Sequence, residues 1–173
     1  MVQENGVNIN LNNLIQLWYG LMILRDNANC SVAKTLNMIG DKWTLLVLRE
    51  AFYGTRRFDD FHQQIGCARS MLSNRLGKLI QNGILYQTEY HDEGKRRRLE
   101  YGLTEKGSEL LNILIALKQW GDRWTHGKNG SPYNLYHRGC RAKVNSKICC
   151  DNGHIIYSPK EMVLLGGKIA SKA

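Results

Sequence analysis

The order of secondary-structure signals between Phe58 and Leu103 limits the fold of this chain more than any other feature of its sequence. A short helical pattern, FDDFHQQIG, ends in a turn, and a second helical pattern, SMLSNRLGKLIQNG, follows it. The segment ILYQTEY then predicts a strand, the stretch HDEGKRRR forms a charged tip, and LEYGL predicts a second strand because its apolar residues alternate with Glu100 and Gly102. We therefore predict a helix, a turn, a helix and a two-stranded ribbon with a basic tip.

This order is typical of a winged helix-turn-helix, in which one helix lies in a DNA groove and the ribbon lies beside it. The surrounding segments predict further helices over Leu11 to Leu24, Ser31 to Ile39, Lys42 to Phe52 with Asp41 as its N-cap, and Thr104 to Trp124. The fold class is thus mainly α with a small β-ribbon (α+β). We divide the chain into an N-terminal extension (1–29), a winged helix-turn-helix domain (30–127) and a basic, cysteine-containing extension (128–173).

The second helix of the central pattern, Arg69 to Gln81, has the side chains that a DNA-reading helix needs. Its apolar residues share one face: Leu72, Leu76, Leu79 and Ile80. Its other face is small, polar and cationic, and its candidate groove contacts are Ser70, Ser73, Asn74, Arg75 and Lys78. Arg and Lys reach guanine acceptors or phosphates, and Asn and Ser bond to base edges or backbone. An ordinary amphipathic surface helix has the same pattern, so this helix alone leaves that alternative open.

The ribbon favours the DNA-reading interpretation. Gly94 is followed by four consecutive cations, which are Lys95, Arg96, Arg97 and Arg98. A charge run is usually a solvated surface, but this one lies at a hairpin tip directly after the proposed reading helix. We therefore expect these four residues, together with Arg69, to contact the minor groove or backbone phosphates, and binding to weaken steeply with salt.

Charge is spread unevenly along the 173 residues, and its distribution supports a polyanionic partner. The chain has a net charge of +9 and is 43% hydrophobic, which is enough for a real core. Residues 1–68 carry no net charge, residues 69–127 carry +3 and residues 128–173 carry +6. The positive half thus begins at the proposed reading helix.

No secretory signal and no apolar stretch long enough to span a bilayer is visible in the sequence, so we expect a cytoplasmic protein without a membrane partner. In that compartment the five cysteines are expected to be thiols, sensors or metal ligands rather than a disulfide framework.

The run from Cys30 to Trp124 resembles the HxlR-type winged-helix transcription regulators, relatives of the MarR group. The motifs that carry the resemblance occur in order and span a little over half of the chain: CSVAKTLNMIGDKWTLLVLRE (Cys30 to Glu50), GTRRFDDF (Gly54 to Phe61), SMLSNRLGKLIQNGI (Ser70 to Ile84), EYGLTEKG (Glu100 to Gly107) and WGDRW (Trp120 to Trp124). The chain departs from the family in its wing, which is longer and more basic and lacks the common proline at the tip.

The resemblance implies a homodimeric, sequence-specific DNA-binding regulator, with the terminal helices as its dimer interface. The apolar stripes of Leu11–Leu24 and Leu110–Trp124 agree, since they hold more apolar surface than one small domain needs. Two-fold symmetry would present two reading helices to a roughly palindromic operator in double-stranded DNA. We expect a repressor that occludes a promoter.

Cys30 is a candidate sensor because it directly precedes a helix, whose positive N-terminal end stabilises a thiolate. Some members of the family resemble sensors of oxidants or electrophiles. The alternative is that Cys30 is a small capping or packing residue.

The C-terminal extension contains residue types of a zinc site: Cys140, Cys149, Cys150 and His154. Some longer family members carry a cysteine-rich extension of the form C-x-x-C-G, and CCDNGH resembles a degenerate version. The adjacent cysteines are unusual spacing for zinc, so the extension is also interpreted as a source of phosphate contacts or a solvated tail.

Three other functions remain open on the sequence. A winged-helix module that docks a protein would form complexes insensitive to salt, and an architectural DNA binder would lack a preferred sequence. An enzyme that uses the tail is disfavoured, because the chain has no glycine-rich phosphate loop, nucleophile elbow or clear acid–base pair. We therefore predict no enzymatic activity and no cofactor, with zinc as the only candidate.

Overall fold

The computed structural model of the protein describes residues 28–90, 98–126 and 130–163. Its elements in chain order are α1 (Ser31–Ile39), α2 (Lys42–Phe52), α3 (Phe58–Ile65), α4 (Arg69–Gln81), β1 (Leu85–Tyr90), β2 (Arg98–Leu103), α5 (Glu105–Ser108), α6 (Leu111–Trp124), β3 (Ile148–Cys149), β4 (Ile155–Ile156) and a 3-10 turn (Pro159–Glu161). The predicted helices α1, α2 and α4 are confirmed, as is the mainly α fold with a small ribbon. The predicted Leu11–Leu24 helix lies outside the described residues.

Asp41 starts α2 as the sequence predicts. Its Oδ1 accepts hydrogen bonds from the backbone N–H groups of Trp43, at 3.1 Å, and Thr44, at 3.0 Å. These two amides have no partner inside the helix, so the carboxylate satisfies them and fixes the start of α2.

The hydrophobic core lies where α2, α3 and α4 meet the ribbon. Its fully buried side chains come from all of these elements: Val47, Leu48, Phe61, Leu72, Leu76, Leu79, Ile84 and Leu85. The ring of Phe61 also meets Tyr101 of β2 edge-on, with centroids 6.2 Å apart. This packing fixes α4 with its apolar residues inward and its polar residues outward.

The ribbon is an antiparallel pair whose register runs from Leu85 opposite Leu103 to Tyr90 opposite Arg98. Arg57, just before α3, pairs through its backbone with Glu100 on β2 in an isolated antiparallel β-bridge. The N–H of Tyr101 donates to the carbonyl of Arg56 at 2.9 Å. The middle of β2 is therefore held against the start of α3.

The predicted long helix from Thr104 to Trp124 is wrong in one respect, because the structure divides it into α5 and α6. Thr104 is the N-cap, as predicted, and accepts from the N–H of Gly107 at 3.0 Å. Gly107 is buried so tightly that a Cβ there would overlap the carbonyl oxygen of Ile84. α5 is also tied to the turn before β1 by the 2.7 Å bond from Lys106 Nζ to the carbonyl of Asn82.

The C-terminal residues 130–163, to which the sequence pattern assigns no helix or strand, contain a small hairpin of β3 and β4. Within this segment no residue is buried. It contacts α6 through the N–H of Ser146, which donates to Gln119 Oε1 at 2.8 Å, and through Lys118 Nζ, 3.3 Å from Ser131 Oγ.

Candidate nucleic-acid interface

The polar face of α4 is open to solvent, as the sequence predicts. Ser70, Ser73 and Asn74 are exposed, while Leu72, Leu76 and Leu79 on the opposite face are buried. A three-residue turn separates α3 from α4 and contains Gly66 in the left-handed conformation, with φ 70°. The two helices therefore have the arrangement of a helix-turn-helix, with α4 in the place of its second helix.

Arg75 lies on the flank of α4 and is half-buried. Its Nε lies 3.1 Å from Asp41 Oδ1, and its Nη2 is 3.9 Å from Met71 Sδ. The contact with Asp41 is an ion pair without a well-directed hydrogen bond, because Nε has no acceptor in suitable geometry among the described residues. Lys78, one turn further along α4, is also close enough to act on the charge of Asp41.

The pKa of Asp41 reflects this environment. Partial burial alone would raise it, but the hydrogen bonds from the hydroxyl and N–H of Thr44, with the positive charges of Arg75 and Lys78, bring the pKa below its ordinary value. The carboxylate is therefore ionised wherever the protein is folded near neutral pH.

Arg69, at the start of α4, is held by a second carboxylate. Its Nη2 donates to Asp59 Oδ1 at 2.8 Å, and its guanidinium lies 4.9 Å from the ring centroid of Phe58. The hydrogen bond from Arg69 is the main reason that the pKa of Asp59 is lowered. Both partners are exposed, so water screens the pair and leaves Arg69 free to exchange Asp59 for another anion.

An open cleft of about 470 Å³ lies between the tip-side half of the ribbon and the starts of α3 and α4. Its lining includes three arginines, Arg57, Arg69 and Arg98, and two aspartates, Asp59 and Asp60, and we call it the arginine cleft. The guanidinium of Arg57 lies 4.5 Å from the ring centroid of Tyr90, and its Nε is 3.6 Å from Glu100 Oε1. The sequence predictions do not include Arg57. In the sequence, Arg57 is marked only by its place in the motif RRF at the start of α3. Its closeness to the ribbon follows from its backbone pairing with Glu100 on β2, which the sequence does not show.

Arg98 is exposed at the start of β2, as expected for a backbone contact. The other three predicted tip residues, Lys95, Arg96 and Arg97, lie outside the described residues. Among the described part of the interface, α4 and the arginine cleft thus form one surface beside the ribbon.

Cys30 is the N-cap residue of α1 and is partly buried, and its side chain makes no capping hydrogen bond. Its predicted place directly before a helix is therefore confirmed, whereas a sensing role stays a prediction.

The zinc ligands proposed from the sequence are not arranged as a site in the described part of the chain. Within residues 28–90, 98–126 and 130–163, no group of three or more His, Cys, Asp or Glu side chains can hold a metal ion. Cys140 Sγ instead lies 3.2 Å from Nδ1 of His137, and the N–H of Cys150 donates to the carbonyl of His154 at 3.0 Å. The residues Cys140, Cys149, Cys150 and His154 therefore do not fit a zinc site in this conformation.

The outward face of α6 carries large exposed apolar side chains. These are Leu111, Ile113, Leu117, Trp120 and Trp124. The two tryptophans are the most exposed of the set, at 63% and 64%. None of the helices in the described ranges is both long and apolar enough to cross a membrane.

Comparison with known proteins places this geometry in context. The model of the HxlR-like helix-turn-helix family matches residues 38–129. The HTH-type transcriptional regulator Rv3095 of Mycobacterium tuberculosis is 38% identical over 120 residues, which cover 69% of this chain and 75% of the relative.

Two solved structures are similar over most of their own length. PA1607, described as a candidate transcription factor, superposes with a TM-score of 0.70 and 30% identity, and the match covers 80% of this chain and 95% of that protein. The redox regulator HypR in its reduced form superposes with a TM-score of 0.50 and 32% identity, covering 54% of this chain and 92% of that protein. The match with PA1607 extends beyond residues 38–129.

Proposed function

Because the chain belongs to the HxlR-like helix-turn-helix family of transcriptional regulators, we propose that it binds a roughly palindromic operator as a homodimer and represses transcription in the cytoplasm by occluding a promoter. The observation that carries the proposal is the exposed polar face of α4 beside the arginine cleft at the ribbon. The family consists of regulators and not of enzymes, so the enzyme alternative is set aside.

Contacts to DNA divide into two kinds. The groove contacts are assigned to the outward and flanking residues of α4: Ser70, Ser73, Asn74, Arg75 and Lys78. The backbone or minor-groove contacts are assigned to Arg69 and to the four cations from Lys95 to Arg98. Base-edge contacts specify the sequence, whereas phosphate contacts set the position and most of the salt dependence.

The homodimer is assigned to the apolar face of α6. Trp120 and Trp124 each present a large ring to solvent, and such rings bury about 150–250 Å² when covered. A second copy of the same face would cover them by two-fold symmetry and place two α4 helices on one side of a duplex.

Cys30 is assigned a sensing role in which an oxidant or electrophile modifies its thiol and changes DNA binding. Its thiol lies at the N-terminal end of α1 and makes no capping hydrogen bond. HypR, to which this chain is similar, is a redox regulator, and this similarity supports a redox response in this chain.

The test is selection from a pool of random duplex DNA at moderate salt, with and without a thiol oxidant, followed by sequencing. Enrichment of one two-fold-symmetric motif is the expected result, and the oxidant should abolish it for the wild type but not for Cys30→Ser. Retention without any common motif would overturn sequence-specific regulation in favour of architectural binding. A complete lack of retention would favour protein docking.

A further inference from the structure

Asp41 lies at the junction of two elements and is fixed there by four groups. Its Oδ1 accepts from the N–H groups of Trp43 and Thr44, and its Oδ2 accepts from the hydroxyl of Thr44. The same Oδ1 is 3.1 Å from Nε of Arg75 on α4. Since the cap bonds hold the carboxylate in place, its negative charge stays beside Arg75 whether or not DNA is present.

The ion pair of Asp41 and Arg75 is more sheltered than the other ion pair on α4. The side chains of Arg75 and Asp41 are 29% and 31% exposed, whereas those of Arg69 and Asp59 are 61% and 66% exposed. Exposed pairs exchange easily with solvent ions, and sheltered pairs are screened less. Asp41 therefore restrains its arginine more strongly than Asp59 does.

This restraint acts differently on the two kinds of DNA contact. A phosphate, like Asp41, is an anion that a guanidinium can bind, so exchanging Asp41 for a phosphate replaces one ion pair by another and brings little net gain. A guanine edge offers two acceptors, O6 and N7, that bind a guanidinium bidentately. An arginine that already has a carboxylate partner should thus contact DNA mainly where the correct base is present.

We propose that Asp41 is a specificity-determining residue: its carboxylate holds Arg75 against the protein on non-cognate DNA and gives it up only to a base edge of the operator. The inference rests on the proposed DNA-binding function. It assigns to Asp41 a role that its capping bonds alone do not require.

The experiment measures the salt dependence of binding to a short random-sequence duplex and to the site enriched by selection. Asp41→Asn keeps a good N-cap residue and removes the charge. The variant should bind the random duplex about two- to fivefold more tightly, in line with the loss of one modest ion pair. Its plot of log affinity against log salt should steepen by about 0.9, the value for one additional phosphate contact. Affinity for the selected site should change less, so the specificity ratio falls.

Two controls separate this role from simple charge removal. Asp151→Asn removes the same charge from the turn between β3 and β4, where Asp151 is exposed and lies neither on α4 nor in the arginine cleft, and should leave the salt slope unchanged. In an Arg75→Ala background, Asp41→Asn should lose its effect. An unchanged slope in Asp41→Asn, an equal gain in Asp151→Asn, or a gain that persists without Arg75 would each overturn the inference.

A structural role of Asp41 is checked by thermal unfolding of each variant. If Asp41→Asn is unstable, Asp41→Ser supplies an uncharged cap and the same slope measurement. Failure of the wild type to bind any duplex would contradict the proposed function itself, whereas wild-type binding with an unaltered Asp41→Asn slope would contradict only the role of Asp41.

Discussion

Arg75 is a single side chain that is proposed to read the DNA sequence through a base edge. Replacing it with alanine should weaken binding to the selected operator by about tenfold or more, since a bidentate base contact is worth about 1–3 kcal/mol. Binding to random duplex should fall far less, because Asp41 already engages the guanidinium at 3.1 Å. Competition binding on both duplexes measures the difference, and equal losses on the two would contradict the assignment of Arg75 to a base.

Arg57 differs from Arg75 because it lines the arginine cleft together with Arg69 and Arg98. If it contacts a phosphate, Arg57→Ala should weaken both duplexes alike and reduce the salt slope by about 0.9. Its partner Glu100 would then lose an ion pair, so the fold of the variant is checked by circular dichroism.

The lowered pKa of Asp41 also predicts how the stability of the fold responds to acid. Because its pKa is lower in the folded protein than its ordinary value of 3.8, the ionised carboxylate stabilises the fold above that value, and this contribution is lost as pH falls through the folded pKa. Asp41→Asn should therefore lose less stability than the wild type on acidification. Asp59 and Asp122, whose pKa values are also lowered, leave part of the acid sensitivity in place. Identical pH profiles from denaturant unfolding of the variant and the wild type would count against this linkage.

At the scale of elements, the connection between the ribbon and α6 depends on Gly107. A methyl group there would overlap the carbonyl of Ile84, so Gly107→Ala should destabilise the protein by about 1–3 kcal/mol. Gly77→Ala is the matched control, since it lies in α4 with open space around it and should be neutral or stabilising by about 0.4–1 kcal/mol. Urea unfolding measures both, and equal stability of the two variants would show that the connection tolerates a side chain.

The same connection shows what sequence periodicity predicts well and what it does not. Helices such as α2 and α4 were predictable because the cap at Asp41 and the apolar spacing of α4 are local signals. The break between α5 and α6 was not predictable from the apolar spacing, nor was the close contact of Gly107 with Ile84, which is distant in sequence. Likewise, Arg57 becomes a candidate contact only through its pairing with Glu100 on β2.

At the scale of the whole molecule, DNA binding and dimerisation are assigned to two different surfaces, the polar face of α4 and the apolar face of α6. The first surface contributes to the proposed DNA contacts together with the ribbon and the arginine cleft, and the second is proposed to join two copies. Damage to the apolar face should therefore reduce recognition of a two-fold site while leaving each single α4 intact.

Trp120→Glu is the sharpest test of this division. Its side chain is 63% exposed and lies outside the core, so the variant should fold normally but place a charge in the proposed dimer interface. Sedimentation should show a monomer, and affinity for the selected two-fold site should fall more than tenfold, whereas random-duplex binding per protomer should change little. Tyr157→Glu, at an 84% exposed position in the C-terminal extension, introduces the same charge away from α6 and should leave the assembly unchanged. A dimer that persists in Trp120→Glu would show that the interface lies elsewhere, because burying an unpaired carboxylate in it would cost a large amount of free energy.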